Sequence, residues 1–136
     1  MSNQSSSLVL RGYRLLAWLL AASVVAQVAF AGLSVFGAAS WIWHVRFSWA
    51  VEALPLLMLL LALIGRLRGR LMWLPAATFG LIALQHATAT IGGAVGALHA
   101  INALAIFGLA IAMTRAAMAE HLTKAAGRPA VVDGEI

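Results

Sequence analysis

Long stretches without a charged residue dominate the chain. The run from Leu15 to Trp43 carries none, and neither does the run from Leu71 to Thr114. Between them, residues 47–64 hold a single acid, Glu52, and a proline, Pro55. A span needs about 20 apolar residues, so the second long run provides two. Its break is the glycine-rich Ile91-Gly92-Gly93-Ala94-Val95-Gly96, which reads as a reversal. The pattern therefore predicts four membrane helices, at 15–36, 47–64, 71–90 and 97–114. They are joined by a loop at 37–43, a basic turn at Arg66, Arg68 and Arg70, and the glycine turn. Residues 1–10 read as a loose tail, 11–117 as the spanning domain and 118–136 as a polar tail. Pro55 predicts a kink whose freed carbonyl is re-satisfied by neighbours. Ala29-Phe30-Ala31 has the form of a signal-peptidase site, but its apolar run is long for a signal peptide, so it reads as part of the first span.

Composition sharpens the class. The 136 residues are 63% hydrophobic and 10% charged, against about 25% charged in average soluble chains. A soluble fold of this size cannot hide that much apolar surface. The expected fold is an all-α integral membrane four-helix up-and-down bundle. The net charge of +5 does not point to nucleic acid, because the basic residues sit in short clusters between apolar runs, as topology signals do. Arg11, Arg14, Arg66, Arg68, Arg70, Arg115, Lys124 and Arg128 fall on one side and only Arg46 on the other. Eight against one places both termini in the cytoplasm and the 37–46 loop outside. Trp41, Trp43 and Trp49 fit an interfacial belt there. The absence of cysteine excludes disulfides, iron–sulfur ligation and c-type haem attachment.

The candidate chemistry lies in the few polar residues of the spans, which are costly in a bilayer and commonly functional. Counting from the cytoplasmic arginines at about 1.5 Å per residue puts Gln27, Glu52, His86, His99 and Asn102 at roughly 20–24 Å. His44 comes out higher, at roughly 30–33 Å. Two imidazoles on different helices are what a b-type haem needs, one axial nitrogen on each face. Ala83, Ala87, Ala89, Gly93, Gly96, Ala100 and Ala103 leave room beside His86 and His99. Gln85 or Asn102 could orient a ligating ring. The same residues fit a 2-His-1-carboxylate metal set with Glu52, a Glu52–His proton relay with Gln27 beside it, or plain interhelical hydrogen bonding. Arg46 suits a lipid phosphate or a haem propionate. His121 reads as solvated, and the arginines at 66–70 as topology and lipid contacts.

Leu84-Gln85-His86 and Leu98-His99-Ala100-Ile101-Asn102-Ala103-Leu104 resemble the helix pair of a half-bundle in the haem A synthase class, and Trp43-His44-Val45-Arg46 resembles its His-Arg ligand helix. The plan is also similar to a group of uncharacterised small four-span bacterial membrane proteins, through Ala31-Gly32-Leu33. The haem A synthase likeness implies one haem ligated by His44 and His99, whereas depth counting favours His86 with His99. Two departures stand out: Ser40 occupies the position of an expected acid, and the length allows one half-bundle only. The expectation is a multi-pass bacterial inner-membrane cytochrome binding one b-type haem near the outer face, exchanging electrons with a quinone or protein partner. A second reading is a haemless accessory subunit of a larger membrane complex. A third is a small proton-coupled transporter, dimeric and using Glu52. No nucleophile–base pair, phosphate loop or metalloprotease motif argues for further catalysis.

Overall fold

The computed structural model describes residues 3–91 and 93–126. It holds four helices: α1 (Asn3–Val35), α2 (Trp41–Ile64), α3 (Arg70–Ile91) and α4 (Gly93–Ala126). Among the described residues there is no strand. The 1–10 segment expected as a loose tail is helical from Asn3, and α4 runs on into the expected polar tail as far as Ala126. Neither Arg11, Arg14 nor Arg115 stops a helix, because arginine is a good helix former. The rest of that tail, 127–136, lies outside the described residues, as does position 92.

Local chemistry sets the other ends. α1 closes with Gly37 in the left-handed region (φ 72°), Ala38 N–H donating to Leu33 O and Gly37 N–H to Ser34 O. That is the Schellman arrangement of a glycine C-terminus. Ser40 then caps α2, accepting from Ile42 N–H at 3.3 Å. The cap starts the second helix at Trp41, inside the stretch expected as a loop. α2 ends in a second Schellman turn, with Leu67 N–H on Ala62 O and Arg66 N–H on Leu63 O. Here the left-handed residue is Arg66 (φ 51°), a conformation that costs a non-glycine residue roughly 1–2 kcal/mol. The 91–96 stretch expected as a reversal is mostly helical, since α4 begins at Gly93 with φ 56°.

Consecutive helices are antiparallel. Gly12 faces Leu61, at the start of α1 and the end of α2, and Gln27 meets His44 at their opposite ends. Asn102 and His99 of α4 meet Leu81 and Gln85 of α3. Each helix packs on its chain neighbours and α1 closes on α4, while the diagonals α1–α3 and α2–α4 make no backbone approach among the described residues. The result is a square bundle whose loosest seam is α2–α3.

Three helices, α1, α2 and α4, are long and apolar enough to cross a membrane. α3, expected as an equal fourth, is the more polar one: its 22 residues include Pro75, Thr78, Gln85, His86, Thr88 and Thr90. Large apolar side chains such as Leu15, Trp18, Leu57, Leu98 and Leu104 point outward, as in a bundle in contact with lipid. At 33 and 34 residues, α1 and α4 are about 50 Å long. They exceed a hydrocarbon core of about 30 Å and stay paired beyond it, where Arg14 Nη1 reaches Met118 Sδ at 3.2 Å.

The tightly packed interior occupies the arginine end. Tyr13, Ala17, Leu20, Met58, Ala62, Ala110, Met113 and Ala117 are almost wholly buried, and so are Pro55 and Pro75. Alanines at these positions let helix backbones approach, which matters where lipid removes any hydrophobic drive to associate. Toward the other end, burial stops at Val24 in α1, before Val51 in α2 and before Asn102 in α4. The closest approach is at Gly65. A Cβ there would lie 2.5 Å from Val9 Cγ1 and 3.0 Å from Leu61 O, whereas at Gly12 it would sit 3.5 Å from Leu61 Cδ1. Gly65→Ala should therefore lower stability by about 1–3 kcal/mol in thermal or SDS unfolding of the micellar protein, with Gly12→Ala tolerated. Equal effects would show that the α1–α2 contact at Val9 is not close.

Candidate functional site

Beyond the packed interior, toward the end where burial falls off, polar side chains gather. His44 lies in the first turn of α2, and its Nδ1 donates to the Gln27 carbonyl of α1 at 3.1 Å. His99 lies near the start of α4, and its Nδ1 donates to the Gln85 carbonyl of α3 at 3.0 Å. A carbonyl oxygen can only accept, so each bond fixes its imidazole with the proton on Nδ1 and leaves Nε2 as the lone-pair nitrogen. The two rings stand 6.1 Å apart between centroids, tilted by 49°. They bridge the α2–α4 diagonal, across which the backbones themselves do not meet.

Around His99 the bonds form a clasp. Gln85 Nε2 donates to the His99 carbonyl at 2.8 Å, reciprocating the bond from His99 Nδ1. Asn102 Nδ2 donates to Leu81 O at 2.7 Å and to Gln85 Oε1 at 2.6 Å. Asn102 is buried, and its amide holds the Gln85 side chain in the orientation that reaches His99. Four interhelical bonds thus join α3 to α4 at one level. His44 is steadied differently, by the edge of Trp41 at 5.7 Å between ring centroids.

The other candidates are placed apart from this pair. His86 packs edge-on against Trp49 of α2 at 6.1 Å between centroids, across the α2–α3 seam. The separation by depth into a His86–His99 layer with His44 two turns higher does not hold, since His44 and His99 share a level. Counting from Arg115 was at fault: that residue lies inside a helix that continues to Ala126. Trp49, which the sequence marked only as interfacial, is the partner of His86. Arg46 is exposed and makes no hydrogen bond or ion pair among the described residues. Gln27 Oε1 and Glu52 Oε2 are buried oxygens without a partner. Among the described residues, no three His, Asp or Glu side chains converge as a metal-binding group, so Glu52 is not drawn in with the histidines. The hydroxyls of Ser34, Ser48, Thr78, Thr88, Thr90 and Thr114 all turn back onto carbonyls of their own helix.

A family model described as a family of unknown function, DUF6220, matches residues 27–91. The matched stretch runs from Gln27 through His44, Glu52 and Gln85 to the end of α3, and leaves out His99 and Asn102. No curated protein and no solved structure matches the chain.

Proposed function

We propose that this protein is a small membrane cytochrome, with His44 and His99 as the axial ligands of one b-type haem. What supports the reading is the pairing itself. Two imidazoles from different hairpins face each other, each with Nδ1 tied to a carbonyl and Nε2 free. Ligating histidines typically donate their second nitrogen to a carbonyl or carboxylate, which sets tautomer and ring angle. Imidazoles on opposite faces of one metal stand roughly 6 Å apart between ring centres, given metal–nitrogen bonds of about 2 Å, and 6.1 Å is the separation here. The donor types and their spacing are those that would hold such a group. Haem supplies one-electron transfer, with a quinone or a protein as the natural partner in the membrane.

In this reading the chain's own residues position and balance the site. Gln85 and Asn102 hold His99, and Trp41 backs His44. Arg46, two residues beyond His44 and unpaired, is available to a propionate or a lipid phosphate. Glu52 lies about two turns below His44 on α2, apart from the histidine pair, and in this reading would tune the local charge or take up protons. The charge bias of eight basic residues against one orients the bundle with both termini inside and the site near the outer face of a bacterial inner membrane, α3 serving as the fourth span.

The test is a reduced-minus-oxidised absorption spectrum of the protein purified after expression with ample haem, together with haem extraction. The expected result is a Soret and a sharp α band of a bis-histidine centre at about one haem per chain. Protein without either band overturns the proposal. In that event the α3–α4 clasp favours the accessory-subunit reading, in which the histidines are interhelical hydrogen-bond partners. Co-purification in a defined complex that survives triple replacement of His44, His86 and His99 by Ala would then support it.

A further inference from the structure

At the arginine end, away from the histidines, α4 and the start of α3 border an open groove of about 410 Å³. It is lined by Gly108, Ile111, Ala112, Ala116 and Ala119, with Arg70 and Arg115 as its charged members. These positions recur at three- and four-residue spacing, so they form one face of α4, in which Gly108, Ala112, Ala116 and Ala119 leave a shallow track beside Ile111. A Cβ added at Gly108 meets open space. From Arg115 the track runs inward past Ala112 to Gly108, about 10 Å toward the apolar middle of the bundle, while Ala116 and Ala119 continue it the other way. Both arginines are exposed, and neither makes an ion pair or hydrogen bond among the described residues. The one acid of α4, Glu120, is engaged by Lys124 at 3.3 Å.

We propose that this groove binds one anionic phospholipid, its phosphate between Arg70 and Arg115 and an acyl chain along the small-residue floor. The charge decides the occupant. Two guanidinium forks that no carboxylate among the described residues engages are complementary to a phosphodiester. A second copy of the chain is the alternative for a face of small residues. Symmetric pairing through this face would bring two Arg70 and two Arg115 together with no acid among the lining residues to compensate them. Basic pockets between helices on one side of a membrane are the usual form of headgroup sites.

Native mass spectrometry of the full chain in neutral detergent micelles, titrated with phosphatidylglycerol or phosphatidylcholine, reads the site directly. Phosphatidylglycerol should bind more tightly than phosphatidylcholine with one lipid per chain. The double variant Arg70→Gln, Arg115→Gln should weaken phosphatidylglycerol about 25-fold, at about five-fold for each charge. The charge-matched double variant Arg66→Gln, Arg68→Gln should hardly change it. Gly108→Leu, which fills the floor without a clash, should weaken both lipids and leave their ratio unaltered. Equal losses in the two double variants would mean diffuse attraction and overturn the proposal. So would displacement of the lipid by inorganic phosphate, which would make it a soluble-anion site, or a dimer mass that replaces the lipid-bound monomer.

Discussion

Replacing His99 by Ala, or His44 by Ala, should remove the bis-histidine spectrum and most of the bound haem, while His86→Ala keeps both. The asymmetry follows from geometry. His44 and His99 stand 6.1 Å apart with their Nε2 atoms unengaged, whereas His86 is occupied with the edge of Trp49 on another seam. Losing one of two axial nitrogens leaves a five-coordinate iron with a broadened, shifted Soret band or no haem at all. Each variant also deletes a hydrogen bond between helices, so a bare loss of haem would not separate ligation from folding. His44→Gly with added imidazole makes the distinction: free imidazole should restore the low-spin spectrum. If the spectrum persists in His44→Ala and disappears in His86→Ala, His86 is the ligand and the assignment is wrong.

Asn102→Leu should act at a distance from the iron. The substitution removes the donor to Gln85 Oε1 and to Leu81 O and leaves the Gln85 amide free to rotate. Interhelical hydrogen bonds in bilayers contribute about 0.6 kcal/mol on average and up to about 1.7. Dismantling the clasp should therefore lower unfolding stability by about 1–3 kcal/mol. Haem affinity should fall by about 10–100-fold, the usual effect of removing a residue that orients a ligand. Asn102→Asp keeps the size of the side chain and leaves at most one donor where the amide has two. It should behave like Asn102→Leu in the spectrum. Haem affinity unchanged in both would show that His99 needs no support from Gln85.

Much of the architecture was readable because a bilayer leaves few options. Charge-free runs set the number of helices, and the arginine clusters marked the turn at 65–69 within a residue or two. The boundaries were less legible where short-range chemistry decides them. Ser40 starts α2 early through one hydrogen bond, and a change from apolar to polar composition says nothing about whether α1 and α4 stop at the membrane surface. α3 shows the converse: a charge-free run can still be too rich in threonine, proline and amide to match its neighbours in apolarity.

The site was readable as a set of residues and not as an arrangement. Gln85 and Asn102 were recognisable as candidates to orient a ring, since a buried amide needs partners. Gln27 was recognisable too, but through its side chain, while it is the Gln27 carbonyl that engages His44. Every residue offers such a carbonyl, so sequence could not single that one out. Depth counting assumed that each span begins at its own arginine and stands upright. With α4 reaching Ala126, that common zero does not exist, and His99 rises to the level of His44.

The anchors of the two histidines divide along the chain. His44 is fixed by α1 within the first hairpin, and His99 by α3 within the second, so each half of the molecule carries a finished, oriented imidazole before the halves meet. Helices enter a membrane in the order of synthesis, so α1 and α2 precede α3 and α4. The gap between the two rings therefore comes into being only when the second hairpin docks on the first. A planar ligand bridging that gap would act as a rivet between halves whose α2–α3 seam is otherwise loosely closed. Its capture would be the final step of assembly, reporting that the bundle is whole.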